Sequence, residues 1–119
     1  MQSPATAAVA GAAVSKTLDQ YQSEIGAWGD ATFPKSTVGT VAVHFEEEAA
    51  EFMDSLRLGD HDGALEEAAD CFLLLLHFAH KSGFSLFDAA ECKMALNRER
   101  TWNTEPEPAG HFKHKETTR

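Results

Sequence analysis

Glu48-Ala49-Ala50-Glu51 and Glu67-Ala68-Ala69-Asp70 are two acidic pairs separated by fifteen residues. Residues three apart share a helix face, so each pair aims two carboxylates in one direction. The interval is long enough to finish one helix, turn at Leu58-Gly59-Asp60 and start a second helix running back. The spacing predicts a helical hairpin with four carboxylates facing across it. Such a cluster repels itself unless a cation sits among the oxygens, and an all-oxygen ligand set favours Mg²⁺ or Mn²⁺. The pattern reads as a metal site that handles phosphates.

Outward from the hairpin, the chain keeps helical periodicity. Leu18, Tyr21, Ile25 and Trp28 set a first helix from Lys16 to about Trp28, which Gly29-Asp30-Ala31-Thr32-Phe33-Pro34 should break. Ser36 or Thr37 can cap a second helix, about Val38 to Leu58, whose apolar stripe is Val41, Phe45, Ala49, Phe52 and Leu56. A third helix starts near Asp62 and stops before Gly83, a residue suited to a helix C-terminus. After Asp70 it is apolar nearly all round, which places it centrally in a bundle or at a subunit contact. Ser85 and Asp88 resemble a capping box opening a fourth helix to about Trp102. No alternation of strand type occurs. The expected fold is all-α, a bundle of about four helices over residues 15–102, with an Ala-rich lead-in (1–14) and a flexible tail (103–119).

Charge narrows the partners. The net charge is −9, which argues against a nucleic-acid polymer, since no basic stripe is present to engage a phosphate backbone. Ten of the nineteen acids fall between Glu46 and Asp70, whereas six of the ten Lys and Arg follow from Lys93 onward. An acidic centre followed by a basic arm suits a metal-bound polyphosphate. Cys71 and Cys92 form no C-x-x-C, so neither zinc nor a disulfide framework is indicated, and reduced thiols in the cytoplasm are expected. The start lacks a basic segment of signal-peptide type, and the apolar run Cys71 to Ala79 is too short to cross a bilayer.

Acidic helix faces are common, and either pair alone could be a solvated surface. Glu67 and Asp70, however, head the most apolar helix, where ionised groups need partners. Lys93, Asn97 and Arg100 follow i, i+4, i+7 on the fourth helix, a stripe able to grip phosphate oxygens or merely a basic face near a C-terminus. Glu47, just before Glu48, is a candidate to accept a proton from water, or a solvated neighbour of Glu46. His44, four residues before Glu48, could orient that ligand or meet a nucleotide, with a plain surface histidine as the alternative. Trp28 and Phe33 are candidates to stack on a base, with core packing as the alternative. His77 and His80 fall where histidine caps helix carbonyls, and His111 and His114 lie in the tail.

Taken in order, His44-Phe-Glu-Glu-Glu-Ala-Ala-Glu51, Glu67-Ala-Ala-Asp70 and Lys93-Met-Ala-Leu-Asn97-Arg-Glu-Arg100-Thr-Trp102 resemble the MazG-like all-α nucleoside triphosphate pyrophosphohydrolases. Within that superfamily, Trp28, Thr32-Phe33, His44 and the Asn-x-x-Arg-x-Trp ending look most like the dATP/dGTP pyrophosphohydrolases of phages and bacteria. The resemblance implies cleavage between the α and β phosphates with Mg²⁺, for which Mn²⁺ can substitute, and two or more ions per site. It implies Glu48, Glu51, Glu67 and Asp70 as metal ligands and Lys93 and Asn97, joined by Arg100, as phosphate contacts. It also implies a homo-oligomer, dimer or tetramer, and a purine preference with dGTP ahead of dATP, in the host cytoplasm if the gene is a phage's. The alternative is a non-catalytic helical module that binds metal or nucleotide for assembly.

Overall fold

The computed structural model describes residues 15–115; the Ala-rich lead-in lies outside the described residues. Four helices follow in order: α1 Leu18–Thr32, α2 Val38–Arg57, α3 His61–Ser82 and α4 Leu86–Glu99. Among the described residues the only β feature is one isolated bridge, so the all-α expectation is borne out. The chain divides after Leu86 into two compact units.

In the first unit, local chemistry starts and stops each helix. Thr17 caps α1 through a reciprocal box with Gln20, and Thr37, rather than Ser36, caps α2 through the same device with Thr40. Asp60 caps α3 by accepting from the Gly63 amide at 3.0 Å, and Gly83 closes it in the left-handed conformation at φ 76°. Gly59, at φ 71°, makes the turn between α2 and α3. The expected hairpin therefore forms.

One expectation fails. The sequence predicts a break from Gly29, yet α1 runs through that segment to Thr32, just ahead of Pro34. Gly29 is a packing residue instead of a breaker: a Cβ there would stand 2.6 Å from His77 Cε1. Gly26, one turn earlier, meets the His80 ring in the same way. The two glycines let α1 lie directly on the α3 histidines, which offsets the helix propensity lost at each, about 1 kcal/mol.

α3 packs along α2 and against α1. The buried apolar core of the first unit is small: Val41, Ala64, Leu76 and Ala79. Met53, Leu56, Leu65, Phe72 and Leu75 stay exposed along the hairpin. Gln22 is buried because both ends of its amide are used; it donates to the Phe84 carbonyl at 2.7 Å and accepts from the Leu86 amide at 3.0 Å. No helix among the described residues is long and apolar enough to cross a membrane.

In the second unit α4 ends at Glu99, short of Trp102. The Trp102 indole donates to the Asn97 carbonyl at 3.0 Å, taking the acceptor that the Thr101 amide would need to prolong the helix. Residues 103–115, read from sequence as part of a tail, return along the strand-like segment 101–103. Asn103 donates to the Lys113 carbonyl at 3.0 Å, and His114 sits edge-on to Trp102 with ring centroids 5.7 Å apart.

Candidate functional site

Glu48 on α2 and Glu67 and Asp70 on α3 each offer a carboxylate oxygen, and these oxygens all lie within 4.8 Å of one another. The antiparallel hairpin brings the two helices together at this level. Glu48 Oε1 stands 3.3 Å from His44 Nε2, one turn away on α2. Glu48 Oε2 is buried with no hydrogen-bond donor among the described residues. Glu67 is pushed above the ordinary carboxylate value, first by its contact with Glu48 and then by burial, while contact with Glu51 pulls the other way. Burial, and then the neighbouring carboxylates, also raise the Cys71 thiol.

Such a group of acids lacks a donor of its own. An orphaned buried oxygen, three converging carboxylates and a disfavoured charge on Glu67 together fit a hard divalent cation. Glu51 adjoins Glu67 but is exposed and outside the three-membered group. Glu47 is exposed on the neighbouring face of α2.

A cavity of about 650 Å³ opens beside the carboxylates, and Glu48 and Asp70 line it as well. Its walls are apolar, built from Ile25 and Trp28 of α1, Phe33 of the following loop, Val41 of α2 and Leu73 and Leu74 of α3. Trp28 is 60% exposed, which removes the core-packing alternative, and it meets Phe33 edge-on at 5.8 Å. Asp70, Leu73, Leu74 and His77 follow i, i+3, i+4, i+7, so the lining runs along α3 for about 10 Å by the helix rise. That span is commensurate with a nucleoside.

The end remote from the carboxylates is held by a clasp. Asp30 binds Lys81 Nζ at 2.8 Å, His77 Nε2 at 2.9 Å and His80 Nε2 at 3.4 Å. Lys81 also donates to the Ser36 carbonyl at 3.0 Å. The hydrogen bond from Lys81, and then that from His77, hold Asp30 down to about 2. The sequence reading of His77 and His80 as carbonyl caps is thus corrected: both rings serve a carboxylate on α1. A signal for this existed in the matching i, i+3 spacings of Gly26/Gly29 and His77/His80.

The expected phosphate-contacting residues belong to the second unit. Lys93 and Asn97 lie on α4, and Arg100 lies one residue beyond its end. Lys93 is exposed, and Arg100 is half-buried. Asn97 Oδ1 is buried without a hydrogen-bond partner among the described residues.

No family model matches the chain. Over 86 residues it is 35% identical to a dATP/dGTP diphosphohydrolase of Salmonella phage PMBT28, covering 72% of this chain and 28% of that protein. It is 34% identical over 86 residues to the dATP/dGTP diphosphohydrolase of Cyanophage S-2L, covering 72% of this chain and 78% of that one. The chain therefore spans little more than a quarter of the first relative and most of the second. Among solved structures it is similar to the Cyanophage S-2L MazG-like pyrophosphohydrolase bound to dGDP and three catalytic Mn²⁺ ions per active site. That match has a TM-score of 0.70 and 29% identity and covers 86% of this chain and all of the other. By these relatives, and by the hairpin that carries its carboxylates, the chain belongs to the MazG-like dATP/dGTP diphosphohydrolases.

Proposed function

We propose that the protein is a divalent-metal-dependent pyrophosphohydrolase of purine deoxynucleoside triphosphates, with dGTP ahead of dATP. The observation that carries this reading is the sharing of Glu48 and Asp70 between a carboxylate cluster and an aromatic-walled cavity. One end suits metal-bound phosphates and the other a base.

Glu48, Glu67 and Asp70, with Glu51 adjoining, would hold two or more ions, Mg²⁺ or Mn²⁺. When bound, such ions make water acidic and neutralise charge on phosphoryl oxygens. His44 keeps Glu48 in position. Glu47 accepts the proton of the attacking water, which adds to the α phosphorus as the α–β anhydride breaks and pyrophosphate departs. Lys93, Asn97 and Arg100 grip the phosphates, and Trp28 lies against the base. The exposed apolar residues of the hairpin support a homo-oligomer, dimer or tetramer, working in the cytoplasm on free nucleotides.

Release of pyrophosphate from a panel of triphosphates, with Mg²⁺ and with Mn²⁺, tests the reading. The expected result is release from dGTP and dATP with either ion and none after chelation. Heavy-oxygen water should label the monophosphate; label in orthophosphate would overturn the proposal.

A further inference from the structure

Stacking on Trp28 cannot choose among bases, since every base offers a π face. Apolar walls discriminate weakly, whereas buried hydrogen-bonding groups reject a mismatched edge strongly. The cavity contains such groups at its remote end. Ser36 lines it, and Ser36 Oγ is buried with no hydrogen-bond partner among the described residues. His77 lines it too and is only 6% exposed. Its Nε2 is committed to Asp30, so Nδ1 is the nitrogen left over. The missing side chain of Gly29 lets α1 close on this ring, since a Cβ there would stand 2.8 Å from Nδ1.

One clamp holds both groups. Lys81 Nζ bridges Asp30 Oδ1 and the Ser36 carbonyl, and Asp30 Oδ1 also receives His77 Nε2. Asp30 stays ionised and accepts from Nε2–H, which leaves Nδ1 as the ring nitrogen available to a ligand.

We propose that Ser36 Oγ and His77 Nδ1 read the edge of the purine, with Asp30 and Lys81 as the positioning residues that fix them. The proposal rests on the function given above and names the groups that set its base preference. Guanine presents an acceptor at O6 beside the donor N1–H. A hydroxyl and an imidazole nitrogen at one end of the cavity can pair with both atoms. Adenine presents a donor at its 6-amino group and an acceptor at N1. The two purines thus ask opposite roles of the same two groups, so Ser36 and His77 set how far one is preferred over the other.

The test uses the full chain with Mn²⁺ and two readouts. The first is kcat/KM for dGTP, dATP and dCTP; the second is equilibrium binding of dGMP and dAMP, which needs no turnover. Ser36→Ala and His77→Gln should each lower kcat/KM for dGTP by about tenfold, mainly through KM, and leave dCTP within about twofold. Asp30→Asn should narrow the dGTP-to-dATP ratio while leaving the Mn²⁺ concentration for half-maximal activity unchanged, a split that general loosening of the fold would not produce. Equal losses on all bases, or an unchanged ratio in Ser36→Ala, would overturn the inference; that substitution is small enough to leave the fold intact. If the protein hydrolyses no triphosphate, the proposed activity falls, and the monophosphates still decide. A dGMP-over-dAMP preference reduced by Ser36→Ala upholds the reading of the edge, and equal binding sinks it.

Discussion

Gly29 on α1 and His77 on α3 meet backbone to ring, leaving no room for a side chain at position 29: its Cβ would lie 2.6 Å from Cε1. The ring cannot swing away cheaply because Asp30 holds its other nitrogen. Gly29→Ala should therefore destabilise by about 1–3 kcal/mol, the usual cost of overpacking. Gly39, whose Cβ would meet nothing closer than 3.6 Å, is the control. Gly39→Ala should be neutral or stabilising in the same denaturant titration.

Metal-free protein should gain thermal stability from Glu67→Gln. The raised value of Glu67 means the folded state holds its proton more tightly than the unfolded chain, so ionisation at neutral pH works against the fold. The amide removes that conflict and, with it, a metal ligand. Melting curves with and without Mn²⁺ should show the variant above the parent in chelator and below it at saturating metal. A variant that melts below the parent in chelator would contradict this account.

Acid stability depends on Asp30 with the opposite sign. Its folded value is depressed from 3.8 to about 2, so its contribution is complete above the ordinary value and is lost as pH falls through about 2. Asp30→Asn should lower stability above pH 4 and flatten its slope between about 4 and 2. Unfolding midpoints followed across that window check the slope.

Lys93→Ala and Trp28→Ala should fail differently. Phosphates are common to all substrates, so loss of the lysine should cut kcat/KM about 100-fold for every triphosphate. Loss of the indole removes stacking worth about 1–3 kcal/mol per base and should change the ranking of bases. Parallel kinetics over four triphosphates distinguish the patterns.

Sedimentation should give a multiple of the 13.0 kDa chain mass. Leu65, 47% exposed, and Leu56, 48% exposed, both lie on the α2–α3 hairpin. Leu65→Glu should shift the species toward monomer; an unassociated parent at micromolar concentration would count against the assembly.

The helices were legible where the cue was local. Thr37, the Leu58-Gly59-Asp60 turn and Gly83 act within a few residues of themselves, and the carboxylate hairpin followed from their spacing. Gly29 was misread because its purpose is a contact with a residue forty-eight positions later in sequence. The Asp30–His77 bond, also long-range, left no mark on periodicity. Trp28 shows the same limit: a helical apolar position reads as core until the neighbouring helices are in place, and here they leave it exposed. The early end of α4 turned on a side chain, Trp102, competing for a backbone acceptor, which propensity does not register.

The cavity stretches two helical turns along α3 from Asp70 to His77, so the ends proposed for phosphate and for base use different stretches of chain. Such a layout is modular. Residues at Ser36 and His77 can drift under mutation without disturbing the carboxylates, so a new base preference is reachable by few substitutions in a scaffold that keeps its hydrolytic machinery throughout. Under the proposed function, that makes substrate choice the trait that the fewest substitutions can change.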